Sequence, residues 1–299
     1  MRGCGAIVPT TCRQRRLPGS DRRTGLGEAG RTRTLALLLV LWVVVTPAAL
    51  AITLVSVEQE VAIGREANAQ VRKEVPELTD ADVRAYVRDI GRRLARVAPG
   101  PKYPYSFSVA NYREINAFAL PGGPVWINRG VLHAAANESQ VAGVLAHEIA
   151  HIAQRHAADQ LTKAYAANLG LGVLGAFLGN SGGASAAQMA AGLLTNSVFL
   201  KFSRDDEREA DRVGLQILRR AGWDARGMVE LFEVLRRESR RDPRAVETFF
   251  SSHPAPGDRV TALRSQVAQS KGGRRDSAQF QRVKSRLLKL SPARSMPRR

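Results

Sequence analysis

His147-Glu148-Ile149-Ala150-His151 sets two imidazoles four residues apart inside Val141 to Ala153, a stretch otherwise built from Val, Ala, Gly, Leu and Ile. Such a stretch belongs in a core, yet it carries three ionisable groups, and buried ionisable groups need partners. Asn137 followed by Gln140 reads as a helix start, and the helix is expected to run to about Ala158. Positions i and i+4 lie one turn apart on one face, so His147 and His151 can reach a single metal ion, with Glu148 beside it. With five His in the chain, this spacing arises by chance in about one such chain in 200. The motif therefore needs a third ligand to carry weight.

A third histidine ligand in the same run would need Gly at position 154 and His at position 157, but the sequence has Gln154 and Ala157. His156, five residues beyond His151, turns away from the ligand face on a continuous helix and reads as structural. A second helix offers the remaining solution in Ser203-Arg-Asp-Asp-Glu207-Arg-Glu-Ala-Asp211-Arg-Val-Gly214. Glu207 and Asp211 are again i and i+4, so Glu207 can bind metal while Asp211 accepts a hydrogen bond from the far nitrogen of a ligand His. Taken alone, this segment is an ordinary helix face laced with Arg204, Arg208 and Arg212. Paired with the His motif it completes a site for one Zn2+ per chain, at which Glu148 is the catalytic base of metal-assisted hydrolysis.

The net charge of +18 is unevenly placed. Residues 1 to 51 hold eight Arg against Asp21 and Glu28, and 271 to 299 hold ten Lys or Arg against Asp276 alone, leaving only +3 in between. The body is nearly neutral and no aromatic residues interleave with the basic ends, so no nucleic-acid partner is expected. Residues 269–299 are expected to be a basic, flexible tail, within which QRVKSRLLKL (281–290) has the pattern of a short amphipathic helix suited to a membrane surface. Cys4 and Cys12 precede the first apolar run and supply neither a disulfide framework nor metal ligands to the body.

That apolar run, Leu35 to Val45, follows Arg31 and Arg33 and leads into Ala49-Leu50-Ala51, a small-x-small cleavage pattern. It reads as a secretory signal peptide, with an uncleaved anchor and an organellar presequence as alternatives. In the first two cases the remainder crosses the membrane, which in a bacterium means the periplasm or cell envelope. The body, 52–268, is expected to open with two helices, one capped by Ser56 with Gln59 and running to about Glu74, one starting at Thr79. A small sheet should follow from Tyr105 to Val109, Ile115 to Leu120 and Val125 to Ile127, the last two joined at Pro121-Gly122-Gly123. Between Lys163 and Lys201 lie 37 uncharged residues rich in Gly and Ala. They read as a helical hairpin packed on the body or as an element that touches membrane or covers the site.

Five blocks in order carry a resemblance: EQEVAIGRE, NAFALPGG with VWINRGVL, HEIAHIAQRH, SRDDEREADRVG and SSHPAPGDRV. The chain resembles the M48 family of zinc metallopeptidases over about residues 56 to 265, in particular its bacterial periplasmic and mitochondrial branches. The resemblance implies an α+β fold, a predominantly helical gluzincin-type zincin domain with a small β-sheet. It implies zinc on His147, His151 and Glu207, Glu148 as base, and Asp211 behind the ligands. It gives Val125, Trp126, Ile127 and Asn128 the role of an edge strand along which a polypeptide substrate pairs, and lets His253 approach the metal and hold the enzyme latent. The repeat domain that follows the peptidase in the periplasmic branch is not expected here. The function so implied is a zinc endopeptidase acting on misfolded, membrane or envelope proteins. The alternatives are a latent, chaperone-like zinc module and an intramembrane protease, the latter disfavoured by the shortage of apolar spans.

Overall fold

A computed structural model describes residues 55–163, 201–254, 257–268, 270 and 272–297. The apolar run at Leu35 to Val45, both cysteines and the uncharged segment 164–200 lie outside the described residues. Among those described, no helix is long and apolar enough to cross a membrane.

Helix α1 (Val57–Glu74) starts at the expected box: Ser56 Oγ accepts from Gln59 N at 3.2 Å and Gln59 Oε1 from Ser56 N at 2.8 Å. It buries Ile63, Gly64, Ala67 and Val71. A methyl group on Gly64 would collide with the Pro121 carbonyl, and one on Gly122, at φ 69°, with the backbone of Glu60 and Val61. Two of the sequence blocks thus owe their glycines to one close approach. Helix α2 (Ala81–Ala95) is capped by Asp80, one residue later than expected, because the Asp80 carboxylate accepts from Val83 N at 3.1 Å. Its buried face is Val83, Val87, Ile90 and Leu94.

The sheet comprises β1 (Ser106–Ala110), β2 (Ala117–Ala119) and β3 (Pro124–Asn128) in the order β1-β3-β2. β3 pairs parallel with β1 and antiparallel with β2, and all five of its residues are buried. Val125 to Asn128 is therefore the central strand, and the expectation of an edge strand there is corrected. The tight Pro121–Gly123 turn folds β2 back onto one side of β3 while β1 takes the other, so both backbone edges of β3 are used. Trp126 is held on its own face of the sheet by Asn68 Oδ1 at 2.9 Å and by stacking on Phe118. Among the described residues no strand pairs with the other edge of β2, whereas Leu78 N donates to Val109 O across the outer edge of β1.

After the short α3 (Arg129–Ala134), Asn137 accepts from Gln140 N at 3.2 Å and starts α4 (Glu138–Ala153), all of whose residues are buried. α4 stops five residues before its expected end. Arg155 adopts φ 61°, and the chain is helical again over 156–163. The left-handed turn is held from outside the helix: the Arg155 guanidinium bonds Glu60 Oε1 at 2.8 Å and the Val55 carbonyl. Packed around α4 are α5 (Arg204–Arg220) and α6 (Arg226–Arg241), followed by a 3-10 turn (Pro243–Ala245), α7 (Glu247–Ser252) and α8 (Gly257–Ala268). The result is the expected α+β fold, mostly helical with one small sheet.

The basic C-terminal residues depart from expectation. Ser277 caps α9 (Ala278–Leu287), which buries Phe280, Val283 and Leu287 against the body, while Leu288 just past it is exposed. The segment is folded because its cations and carbonyls find partners at long range. Lys284 Nζ bonds the His133 and Ala135 carbonyls at 2.6 and 2.9 Å. Arg286 holds Asp80 at 2.7 Å, and the buried Arg129 guanidinium bonds the Leu287 and Ser291 carbonyls, each at 2.7 Å. Ser139 N donates to Arg275 O at 2.9 Å, so the segment also ties down the first turn of α4. Phe280→Ala should lower the urea-unfolding free energy by about 3–5 kcal/mol, the cost of emptying a core aromatic site. A loss within the scatter of surface substitutions would return 272–297 to the status of a tail.

Candidate metal centre

Because α4 is buried on all sides, His147 and His151 project one above the other into the interior, with their Nε2 atoms 3.1 Å apart. Two ring nitrogens that face each other so closely need a proton or a cation between them. α5 supplies the countercharge. Ser203 and Asp206 form its capping box, which fixes the first turn and directs Glu207 at the two rings. Glu207 Oε2 is 3.6 Å from His147 Nε2, and Oε1 is 3.4 Å from His151 Nε2. His253, just past α7, closes the group, with Nδ1 2.8 Å from Glu207 Oε1 and Nε2 3.7 Å from Glu148 Oε1. Donor atoms of His147, His151, Glu207 and His253 all lie within 4.8 Å of one another, and all four residues are buried. A tetrahedral zinc with bonds of about 2.0–2.1 Å sets its ligand atoms about 3.3 Å apart. The separations of 3.1, 3.4 and 3.6 Å fit that ion.

Burial pushes the Glu148 carboxyl up, against the pull of His253, His147 and the Ala119 amide. Neither Glu148 oxygen has a well-formed hydrogen bond among the described residues, a costly state unless another group enters the site. For Glu207 burial acts in the same direction but is outweighed by His253, His147 and His151, which hold it well below the usual range. Burial also opposes charge on His147, yet Asp211 and Glu207 prevail and raise it to about 10. His151 is depressed well below its ordinary value, by burial first and by the neighbouring His147 in addition.

Behind the donors stands a layer that is only partly legible in the sequence. Asp211, one turn after Glu207, places Oδ1 3.1 Å from His147 Nδ1, as the spacing predicts. Arg259 grips both Asp211 oxygens at 2.7 and 2.8 Å, pairs with Glu207, bonds the Pro254 carbonyl at 3.1 Å and lies over the Phe232 ring. At 8% exposure it is the buried cation that balances the carboxylates. It stands six residues past His253 in the SSHPAPGDRV block, and a count of the acids converging on the site would have called for it. Phe202 stacks on the His151 ring, centroids 3.9 Å apart. His156 places Nδ1 2.9 Å from His151 Nδ1. Helical spacing turned His156 away, but the break at Arg155 swings it back. His133 lies elsewhere, 3.2 Å from Arg129 Nε. Val125 to Asn128 do not join the site; Ala119 of β2 (Ala117–Ala119) does, through its amide.

Two outcomes follow for the isolated protein. Metal needs neutral imidazoles, whereas the metal-free site holds a proton on His147 to about pH 10, so metal binding at pH 7 should release a proton, and loading should fall as the pH is lowered. Calorimetry in buffers of different ionisation enthalpy reads the first, and metal content after dialysis at acid and neutral pH reads the second; content independent of pH would rule out a histidine site. Arg259→Met, which strands two buried carboxylates, should cost about 3–5 kcal/mol of stability and weaken metal binding about 10–100-fold. Unchanged values in equilibrium unfolding and metal competition would remove Arg259 from this account.

Comparison with known proteins bears on the same residues. Residues 81–267 match the model of peptidase family M48, a span that includes both site helices and the His253 loop. The beta-barrel assembly-enhancing protease of Yersinia pestis is 33% identical over 221 residues, covering 72% of this chain and 45% of that protein. The metalloprotease YcaL of Escherichia coli is 28% identical over 186 residues, 60% of this chain and 71% of its own. The mitochondrial metalloendopeptidase OMA1 of Saccharomyces cerevisiae is 36% identical over 148 residues, 48% and 41% of the two chains. The chain spans less than half the length of the assembly-enhancing proteases it matches. With a buried donor cluster at the centre of the matched region, this chain belongs to peptidase family M48.

Proposed function

We propose that the chain is a zinc-dependent endopeptidase that cuts misfolded, membrane or envelope proteins in the periplasm or cell envelope. The observation that carries the reading is the convergence of His147, His151 and Glu207, from two separate helices, on one buried point beside the buried Glu148. The donor set, two imidazoles and a carboxylate, suits zinc. When bound there, the ion supplies a Lewis acid that polarises a peptide carbonyl and acidifies water. Glu148 takes the proton of the attacking water and delivers it to the departing amine; its burial-raised pKa suits both halves of that transfer. Asp211 and Arg259 fix the His147 and Glu207 side chains in the ligand geometry.

Among the described residues, β2 offers an extended substrate a backbone edge that no strand pairs with. Leu120 N donates to Pro124 O and Asn128 N to Asn116 O, so the alternate amides at Ala117 and Ala119 face away from β3 (Pro124–Asn128). Strand addition along β2 would carry a peptide past Glu148, and we assign that role to β2. His253, lodged between Glu207 and Glu148, takes the space that water and substrate need, and we assign it the role of holding the enzyme latent. The envelope setting is supported by the Leu35 to Val45 run with its cleavage pattern and by the likeness to a beta-barrel assembly-enhancing protease. The His253 contacts also favour one rival, a zinc-bound, chaperone-like module with little turnover.

Purified protein incubated with casein or an unfolded outer-membrane protein separates the two. His253→Ala should raise cleavage, and Glu148→Gln should remove at least about 100-fold of it while metal content is retained. No cleavage by either the wild type or His253→Ala would favour the rival.

A further inference from the structure

The two histidines of α4 (Glu138–Ala153) hold their far nitrogens in different ways. His147 Nδ1 faces a carboxylate, Asp211 Oδ1 at 3.1 Å. His151 Nδ1 faces a second imidazole, His156 Nδ1 at 2.9 Å. A carboxylate only accepts, whereas a neutral imidazole donates at one nitrogen and accepts at the other, so its proton must be placed before it can serve as an acceptor. Solvent does not place it: His151, His156 and the Phe202 ring stacked on His151 are all buried. Glu209 stands at the other end of the His156 ring, with Oε2 3.5 Å from Nε2. That contact is long for a hydrogen bond, yet a carboxylate there favours the proton on Nε2 and leaves Nδ1 bare. Glu209 is itself fixed, its Oε1 accepting from Gln154 Nε2 at 2.8 Å and from Arg212 Nη2 at 2.9 Å. It lies on α5 (Arg204–Arg220), two residues after Glu207, so the helix that supplies one metal donor also carries this anchor. The backbone bends to bring His156 there. Arg155 adopts φ 61°, a conformation that non-glycine residues rarely take. Its guanidinium is held by Glu60 Oε1 at 2.8 Å, and Gln160 Nε2 bonds Asp206 Oδ2 at 3.2 Å, which pins the resumed helix over 156–163 to α5. Uncommon backbone kept in place by remote partners marks a position where geometry is used.

We propose that His156 is the positioning residue for the metal ligand His151: with Glu209 holding its proton on Nε2, its bare Nδ1 accepts the His151 Nδ1 proton and leaves the His151 Nε2 lone pair for the metal. The inference rests on the zinc peptidase reading and adds to it the residue that decides whether His151 can bind. The opposite arrangement, with a proton on His156 Nδ1, would set two N–H groups against each other or force the His151 proton onto Nε2, where it would block the metal. An acceptor at this point does for His151 what Asp211 does for His147. Because the acceptor is an imidazole, it brings no further negative charge to the buried Glu207.

The test uses the full chain and zinc, with affinity read by competition against a chromophoric chelator. His156→Leu keeps apolar bulk without an acceptor, and His156→Asn puts an amide oxygen close to the place of Nδ1. His156→Leu should bind zinc about 10–100-fold more weakly than wild type, and His156→Asn should recover most of that loss. A residue that only filled space would give the reverse order, because an apolar side chain suits a buried position better than an amide; that order, or equal affinity in all three proteins, overturns the proposal. If His156→Leu does not fold, wild type answers alone. In the zinc-loaded protein with isotopically labelled histidine, long-range proton–nitrogen correlation spectra should place the His151 proton on Nδ1 and the His156 proton on Nε2, and a proton on His156 Nδ1 overturns the proposal. Zinc bound equally by wild type and His156→Leu leaves the peptidase reading standing without this addition, whereas a wild type that binds no zinc removes both.

Discussion

A carboxylate from one helix facing two imidazoles from another is the interaction on which the rest of this structure depends. Glu207 comes from α5 and the histidines from α4, and the pair is buried, so neither helix can shift without exposing or stranding charge. Charges removed from water are stable only when compensated on every side. Here the compensation is layered: Arg259 on Glu207 and Asp211, Asp211 on His147, His156 and Phe202 on His151. Within this group His147 is raised by Asp211 and Glu207, His151 is depressed by burial, and burial raises Glu148. Preorganised donors beside a buried carboxyl are what metal-assisted hydrolysis requires.

α1 gains a purpose in this frame. It presses Gly64 against the turn after β2 and sends Glu60 to the arginine that breaks α4, with Tyr103 bonded to the same carboxylate. One helix thus steadies both the open strand edge and the end of the metal helix. Two blocks that looked unrelated, EQEVAIGRE and NAFALPGG, are two halves of one contact.

What could be read from the sequence divides by distance along the chain. Ser56, Asn137 and Ser203 cap helices through partners three residues away, and the starts at Ser56 and Asn137 are where the sequence predicts them. His147, His151, Glu207 and Asp211 were legible because helical spacing is a local rule, repeated on each of two helices. The features that escaped depend on remote partners. The break at Arg155 is set by Glu60, 95 residues earlier, and it cancels the helical rule for His156. The order of the strands is a choice among non-local pairings, and the edge role that the resemblance implied for Val125 to Asn128 is removed by pairing with β1. Residues 272–297 read as a tail because their partner, Arg129, lies 158 residues before Leu287. Arg259 was hidden in the same way, 48 residues from Asp211.

The union of Arg275 and Asp276 with the first turn of α4 has a bearing on biogenesis. Ser139 donates to the Arg275 carbonyl, and Glu138 N to Asp276 Oδ1 at 3.3 Å. These residues are synthesised more than a hundred after the helix they fasten, and contacts so far apart along the chain close late. A nascent chain therefore carries both histidines on a helix whose origin is still untied, and that helix is fastened only once residues 275 and 276 have joined the fold.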